Sequence, residues 1–299
     1  MALELQNVRG KTYCLRGPVN VGVYDRGDGT CLLIDTGLDE SSGRKVLRIL
    51  KDAGLTPAAV INTHSHADHC GANRFIKKRT GAEVWTSPLE RPFIEHTALE
   101  TFYLFSAVPP REMRTKFLMA QPCPVDGVLA PCAQEVAGVE LEVLDLAGHS
   151  PGQIGVATPD GVLFAADAFF STDVIEKYRL PYTADVGAAL ETIAKLEETA
   201  YACYVPGHGE PVEDPREALA ANRAVTESIA GLVVEIAGRD GRAREEIMKE
   251  IVRRKEITLH PEQYLLVFAT VSAYLGHLAD TGRLRTEYRD GELLWAAAG

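Results

Sequence analysis

Seven consecutive residues, Thr63-His64-Ser65-His66-Ala67-Asp68-His69, constrain this chain more than any other feature. Three imidazoles and a carboxylate in one tight turn build no core, and on protonation they would repel unless a cation collects their lone pairs. Isolated histidines such as His96, His260 and His277 carry no such implication, because a lone His is more often a satisfied core or surface group. The cluster follows an apolar stretch at 58–62 and precedes a helix predicted to start near Gly71, so it occupies a strand-to-helix turn. His64 and His66 alternate and can point one way from an extended loop, while Asp68 and His69 lie round the turn toward a second position. Two adjacent metal positions follow, each short of ligands. Further ligands are on offer at His149 in Gly148-His149-Ser150-Pro151-Gly152, Asp167 at the end of an apolar run, and His208 in Pro206-Gly207-His208-Gly209. Glycines flank both histidines, which suits a backbone in close approach to a metal. A carboxylate ending an apolar strand is an odd core residue but a good bridge.

Around the cluster the pattern alternates. Residues 19–24 and 31–34 are short apolar runs separated by Arg26-Gly27-Asp28-Gly29-Thr30, a hairpin signature. Spacing predicts helices over 41–53, 71–79 and 186–198, and strands over 58–62, 82–86, 140–146, 154–158, 162–166 and 203–205. Strands with external helices imply an α/β layered architecture. Between 87 and 131 prolines interleave with Phe93, Phe102, Tyr103, Phe105 and Phe117. That segment reads as an insertion, either extra core over a sheet edge or a partly helical lid over the metal site. From 216 a helix runs to about 237, two more follow at 243–255 and 261–281, and strands at 283–289 and 292–297 flank Asp290-Gly291. Helix, helix, hairpin resembles a winged-helix module. The expected division is a catalytic domain over 1–214, with its insertion at 87–131, and a small helical, winged-helix-like domain over 215–299.

Composition narrows the function. A length of 299 residues suits one large catalytic unit with an appendage. No run approaches the eighteen or so apolar residues of a membrane span, and Met1 to Gln6 forms neither a basic nor an apolar signal region, so a cytoplasmic protein is expected. The six cysteines include no C-x-x-C pair, which argues against a thiolate zinc knuckle and for free thiols. Of the net charge of −11, residues 1–214 carry −10 and residues 215–299 carry −1. A nucleic-acid enzyme needs a basic surface to displace counterions. Nucleic acid is therefore disfavoured as a partner, a small-molecule substrate is expected, and the near-neutral tail is read as a dimerisation or pocket-building unit.

Taken in order, H-x-H-x-D-H, G-H-S-P-G, an Asp after an apolar strand and G-H-G resemble the metallo-β-lactamase fold superfamily over roughly residues 10–215. The resemblance implies an αββα sandwich with the metals at one edge of the two sheets. It also implies that His64, His66 and His149 bind a first metal, that Asp68, His69 and His208 bind a second, and that Asp167 bridges them. The expected cofactor is two divalent ions, zinc first, with iron or manganese as alternatives. Two such ions roughly 3.5–4 Å apart bring a bridging water to near-neutral pKa and polarise the substrate's oxygen, with Asp68 as the catalytic group that orients that water or receives its proton. The function expected is a dinuclear metal-dependent hydrolase using a bridging hydroxide on an ester-type bond: thioester, lactone or phosphoester.

Within the superfamily, the full ligand set with Asp resembles glyoxalase II and its relatives more than true β-lactamases. Acyl-homoserine lactonases typically carry a Tyr three residues after the bridging Asp, where this chain has Phe170, so Tyr178 or Tyr182 would have to substitute. The tail also departs from the basic helical extension of glyoxalase II. From a different class, a mononuclear iron persulfide dioxygenase is the alternative. Ala166 stands where many relatives have Gly, and Cys70 reads as a buried filler. In the insertion, Phe102, Tyr103, Phe105 and Phe117 are candidates for an apolar acyl pocket, and Arg111, Arg114 and Lys116 for contacts to a carboxylate or phosphate. The proline-rich insertion and the appended tail favour a homodimer.

Overall fold

The computed structural model describes residues 4–298. Two sheets face each other. The first runs in chain order through β1 (Glu4–Arg9), β2 (Thr12–Arg16), β3 (Val21–Asp25), β4 (Thr30–Ile34), β5 (Thr56–Ile61), β6 (Glu83–Thr86) and β7 (Gly127–Val128). Its first four strands pair antiparallel and the rest parallel. The second contains β8 (Cys132–Val136), β9 (Val139–Asp145), β10 (Ile154–Ala157), β11 (Val162–Ala166) and β12 (Cys203–Pro206), in the order β12-β11-β10-β9-β8.

Alternation along β4 explains the layering, since successive side chains leave a strand on opposite faces. Leu32 and Ile34 face the second sheet and meet Val143, Val156, Phe164 and Val205. Cys31 and Leu33 face outward and are covered by Val46 and Leu50 of α1 (Glu40–Asp52). Asp39 starts α1 by accepting from the Ser41 and Ser42 amides, and such a cap is worth about 1 kcal/mol. On the far side, Leu163 and Ala165 are covered by Ile193 and Leu196. The layers are therefore αββα.

The helix expected over 71–79 is two pieces, α2 (Ala67–Cys70) and α3 (Asn73–Thr80). Asp68 and His69 thus lie inside a helical turn rather than ahead of one. The break falls where Gly71 passes against the backbone of Leu38, leaving no room for a Cβ. Strands β1, β2 and β8 carry mixed polar patterns that show no strand period in the sequence. The insertion folds as α4 (Arg91–Glu95), α5 (Ala98–Phe105) and a short 3-10 turn, Arg111–Met113. After α6 (Thr172–Tyr178) and α7 (Val186–Glu197), the chain ends in α8 (Arg216–Ala237), β13 (Arg242–Ala243), α9 (Arg244–Arg254), α10 (Pro261–Asp280), β14 (Leu284–Arg289) and β15 (Glu292–Ala297). These last strands form a third sheet, and Ile229, Val233, Ile247, Ile251, Val271 and Leu275 fill a separate core that Leu180 and Val186 join. Among the described residues no helix is long and apolar enough to cross a membrane. All six cysteines are free, and Cys70 is buried and bonded to the Ser65 carbonyl.

Candidate metal centre

The loops at the ends of β4, β5, β9, β11 and β12 meet at one edge of the sandwich, and they bring all seven residues singled out by the sequence together. His64, His66 and His149 form one constellation, Asp68, His69 and His208 a second, and Asp167 lies between them. His64 Nε2 is 3.1 Å from His66 Nδ1, which is 2.9 Å from His149 Nε2. Ligands of a tetrahedral zinc with bonds of 2.0–2.1 Å lie about 3.3 Å apart, so the three nitrogens are spaced for one ion. Asp167 Oδ2 is 3.3 Å from His149 Nε2 and 3.5 Å from His208 Nε2, and Asp167 Oδ1 is 3.5 Å from His69 Nε2. His208 Nε2 and Asp68 Oδ2 are 3.4 Å apart.

Each imidazole is oriented by a partner on its far side. Thr63 donates its hydroxyl to Asp35 Oδ2, so it can only accept from His64 Nδ1, which leaves Nε2 bare. His69 Nδ1 donates to Asp35 Oδ2 at 2.8 Å, His149 Nδ1 to the Tyr182 carbonyl at 3.1 Å, and His208 Nδ1 to the Pro18 carbonyl at 2.7 Å. His66 is turned the other way: Nδ1 faces inward and Nε2 lies 3.6 Å from Glu100 on α5. Such outer partners fix the tautomer and aim the free lone pair at a metal.

The charge balance calls for a cation. His69 Nε2 and Asp167 Oδ1 are buried with no hydrogen-bonding partner, a costly arrangement unless an ion satisfies both. Burial, compounded by mutual repulsion, pushes His64 far below the ordinary histidine value and His66 to about 4, and it lowers His149 too. Burial acts likewise on His69 and His208, but the surrounding Asp167, Asp35 and Asp68 overcome it and hold them at about 9 and about 12. The carboxylates thus hold protons on His69 and His208 where a divalent ion would sit. A donor set of five imidazoles and two carboxylates fits zinc, iron or manganese.

Several residues around the centre escaped the sequence. Asp35 carried a usable signal, a carboxylate ending the apolar strand β4, the criterion that had found Asp167. Glu90 and Glu100 carried none, being single acids in a proline-rich stretch; burial, with Glu90 nearby, pushes Glu100 up to about 8. Tyr182, and not the exposed Tyr178, packs against the rings of His66 and His149, each with centroids 5.3 Å away. Phe170 meets His149 edge to face and lies tilted beside His208. One glycine beside a histidine, Gly207, has a different reason from the one expected. A Cβ on Gly207 would lie 2.1 Å from Asp167 Oδ1 and 2.9 Å from His69 Cε1, so it is the side chains of Asp167 and His69 that need the space. Lys116 is drawn off to Asp39, and Phe102 and Phe117 stand half exposed.

A family model described as the metallo-beta-lactamase superfamily matches residues 15–208, which include all seven residues. The probable metallo-hydrolase YqgX of Bacillus subtilis (strain 168) is 27% identical over 179 residues, spanning 59% of this chain and 76% of that protein. A hydroxyacylglutathione hydrolase of Pseudomonas entomophila (strain L48) is 27% identical over 222 residues, 68% of this chain and 72% of its own. Among solved structures, a beta-lactamase domain protein from Burkholderia ambifaria superposes with a TM-score of 0.74 at 21% identity, covering 99% of this chain and 94% of that one. At that identity the match speaks for the fold alone.

Proposed function

Because the chain belongs to the metallo-beta-lactamase superfamily and is a metal-dependent hydrolase, we propose that it cleaves an ester-type bond of a small molecule at a dinuclear centre, zinc first. The bond would be a thioester, lactone or phosphoester, the first favoured by relatives named hydroxyacylglutathione hydrolase. One observation carries this reading: two three-residue constellations, each suited to one ion, share the carboxylate of Asp167. His64, His66 and His149 would hold the first ion, Asp68, His69 and His208 the second, and Asp167 both. When bound, such a pair of ions supplies Lewis acidity that activates water and polarises the scissile group.

The chain's own residues do the rest. Asp68, whose side chain is 36% exposed, is the carboxylate with open access, and it is the group to orient the attacking water and take its proton. His69 is locked by Asp35 and His208 by the Pro18 carbonyl, so the second position is held rigidly from behind. Phe170 and Tyr182 give the cleft apolar walls that exclude bulk water. We further propose that residues 215–299 form a winged-helix-like unit that supports the cleft, and that the protein works in the cytoplasm. The test is elemental analysis of protein purified without added metal, with turnover of an aryl thioester, an aryl lactone and bis-p-nitrophenyl phosphate. About two zinc ions per chain with activity on one ester class is the expected result. About one iron per chain with no hydrolysis overturns it in favour of a dioxygenase.

A further inference from the structure

We propose that Glu90 is a positioning residue that sets the distance between the two loops carrying His64, His66 and His149, and so tunes the affinity of the first metal position. The inference rests on the assignment of those three histidines to one ion. They come from different sheets: His64 and His66 follow β5, whereas His149 lies between β9 and β10. One backbone bond, from the Ile154 amide to the Thr63 carbonyl at 2.9 Å, ties the loops directly. Glu90 ties them again, from the start of the insertion. Its Oε2 accepts from the Ser65 amide at 2.9 Å and the Ser65 hydroxyl at 2.5 Å, and its Oε1 accepts from the Ser150 hydroxyl and the Gly152 amide, both at 2.7 Å.

Ser65 stands between the two histidines of one loop, and Ser150 immediately follows His149 in the other. A single carboxylate, 1% exposed, therefore spans the gap with all four acceptor positions used. Among the described residues no Lys or Arg pairs with it, so a buried anion is balanced by four dipoles and whatever charge lies in the adjacent centre. The surrounding backbone is shaped for this contact. A Cβ on Gly152 would fall 2.6 Å from Leu89 Cβ, 2.7 Å from Ser87 Oγ and 3.2 Å from Glu90 Cγ, so only glycine lets the loop close on the segment 87–90. That requirement accounts for the second glycine of the G-H-S-P-G motif. It also gives the insertion a part in the centre itself, alongside any role as wall or lid.

Glu90→Gln keeps shape and volume but turns one acceptor into a donor facing donors. Outer partners of metal ligands typically change affinity 10–100-fold. Cobalt uptake is the probe, read by the visible ligand-field bands and by competition with a chelator. The expected result is a 10–100-fold loss of affinity at one position, with altered bands, while the other position keeps wild-type affinity. Leu50→Ala, a core variant distant from the centre, serves as the control for lost stability and retains both affinities. If Glu90→Gln does not accumulate as folded protein, Ser150→Ala removes one donor and lowers the same affinity severalfold. Unchanged bands and affinities in either variant overturn the proposal, as does an equal loss at both positions. Wild-type protein that takes up no cobalt overturns the metal reading itself, and this inference with it.

Discussion

Ala166 adopts φ of 48° at the end of β11, and Asp35 adopts 63° at the end of β4. Both lie in the left-handed region, which disfavours any residue with a Cβ. Both also deliver carboxylates to the centre, Ala166 by turning the chain into Asp167. Strain of this kind persists where surrounding structure holds it in place, often at functional sites. Ala166→Gly is expected to raise stability by about 0.5–1 kcal/mol, since relief of strain exceeds the added freedom of the unfolded chain; urea unfolding of the two proteins measures it. Asp35 serves three donors, the Thr63 amide and hydroxyl and His69. Asp35→Asn weakens the acceptor that aims His69, and affinity at the second metal position proposed for this centre should fall about 10–100-fold. Chelator competition giving equal affinities would show that His69 is aimed without it.

Among elements, two contacts fasten the middle of the insertion. At one, Leu104 of α5 and Leu118 pack against Leu265 of α10, all buried. Leu265→Ala should destabilise the protein by about 2–5 kcal/mol and speed amide exchange along α5, whereas unchanged exchange there would mean α5 is held by other contacts. At the other, Lys116 pairs with Asp39, the cap of α1, at 2.8 Å. The Lys116 hydrogen bond, helped by the Ser42 and Ser41 amides against some burial, holds the Asp39 carboxyl below its ordinary 3.8. A depressed folded-state value means the contribution is full above the unfolded value and disappears as pH falls through the folded one. Side chains 60% and 30% exposed limit the pair to less than about 1 kcal/mol. The stability gap between wild type and Asp39→Asn should therefore be constant above pH 5 and close below pH 4. A gap that widens toward acid contradicts the pairing.

For the whole molecule, the centre is the point where loops from both sheets are held against one another by charge. Without ions, buried lone pairs and carboxylates face each other across it. Stripping the metal with a chelator is expected to lower unfolding free energy by about 4 kcal/mol where the ion stood near a thousand times its Kd, and zinc should restore it. Melting curves that coincide with and without chelator would exclude a structural contribution. The tail shares in this stability, because Asn222 of α8 holds both the amide and the carbonyl of Phe170 beside His149 and His208.

What the sequence determined by itself is local chemistry and period. Three histidines and an aspartate within six positions are legible because no core accommodates them, and β4, β5 and β11 are legible because strands buried on both faces are continuously apolar. The same logic found His149, Asp167 and His208 at strand ends. Contacts across long separations were decided only by tertiary structure: Glu90 reaching Ser65 and Ser150, Glu100 behind His66, Tyr182 against two imidazoles. A lone acid or tyrosine in an irregular segment has no periodicity to betray its direction, and its partners lie 25 to 116 residues away. Its role exists only once burial removes water and leaves it a single set of donors to satisfy.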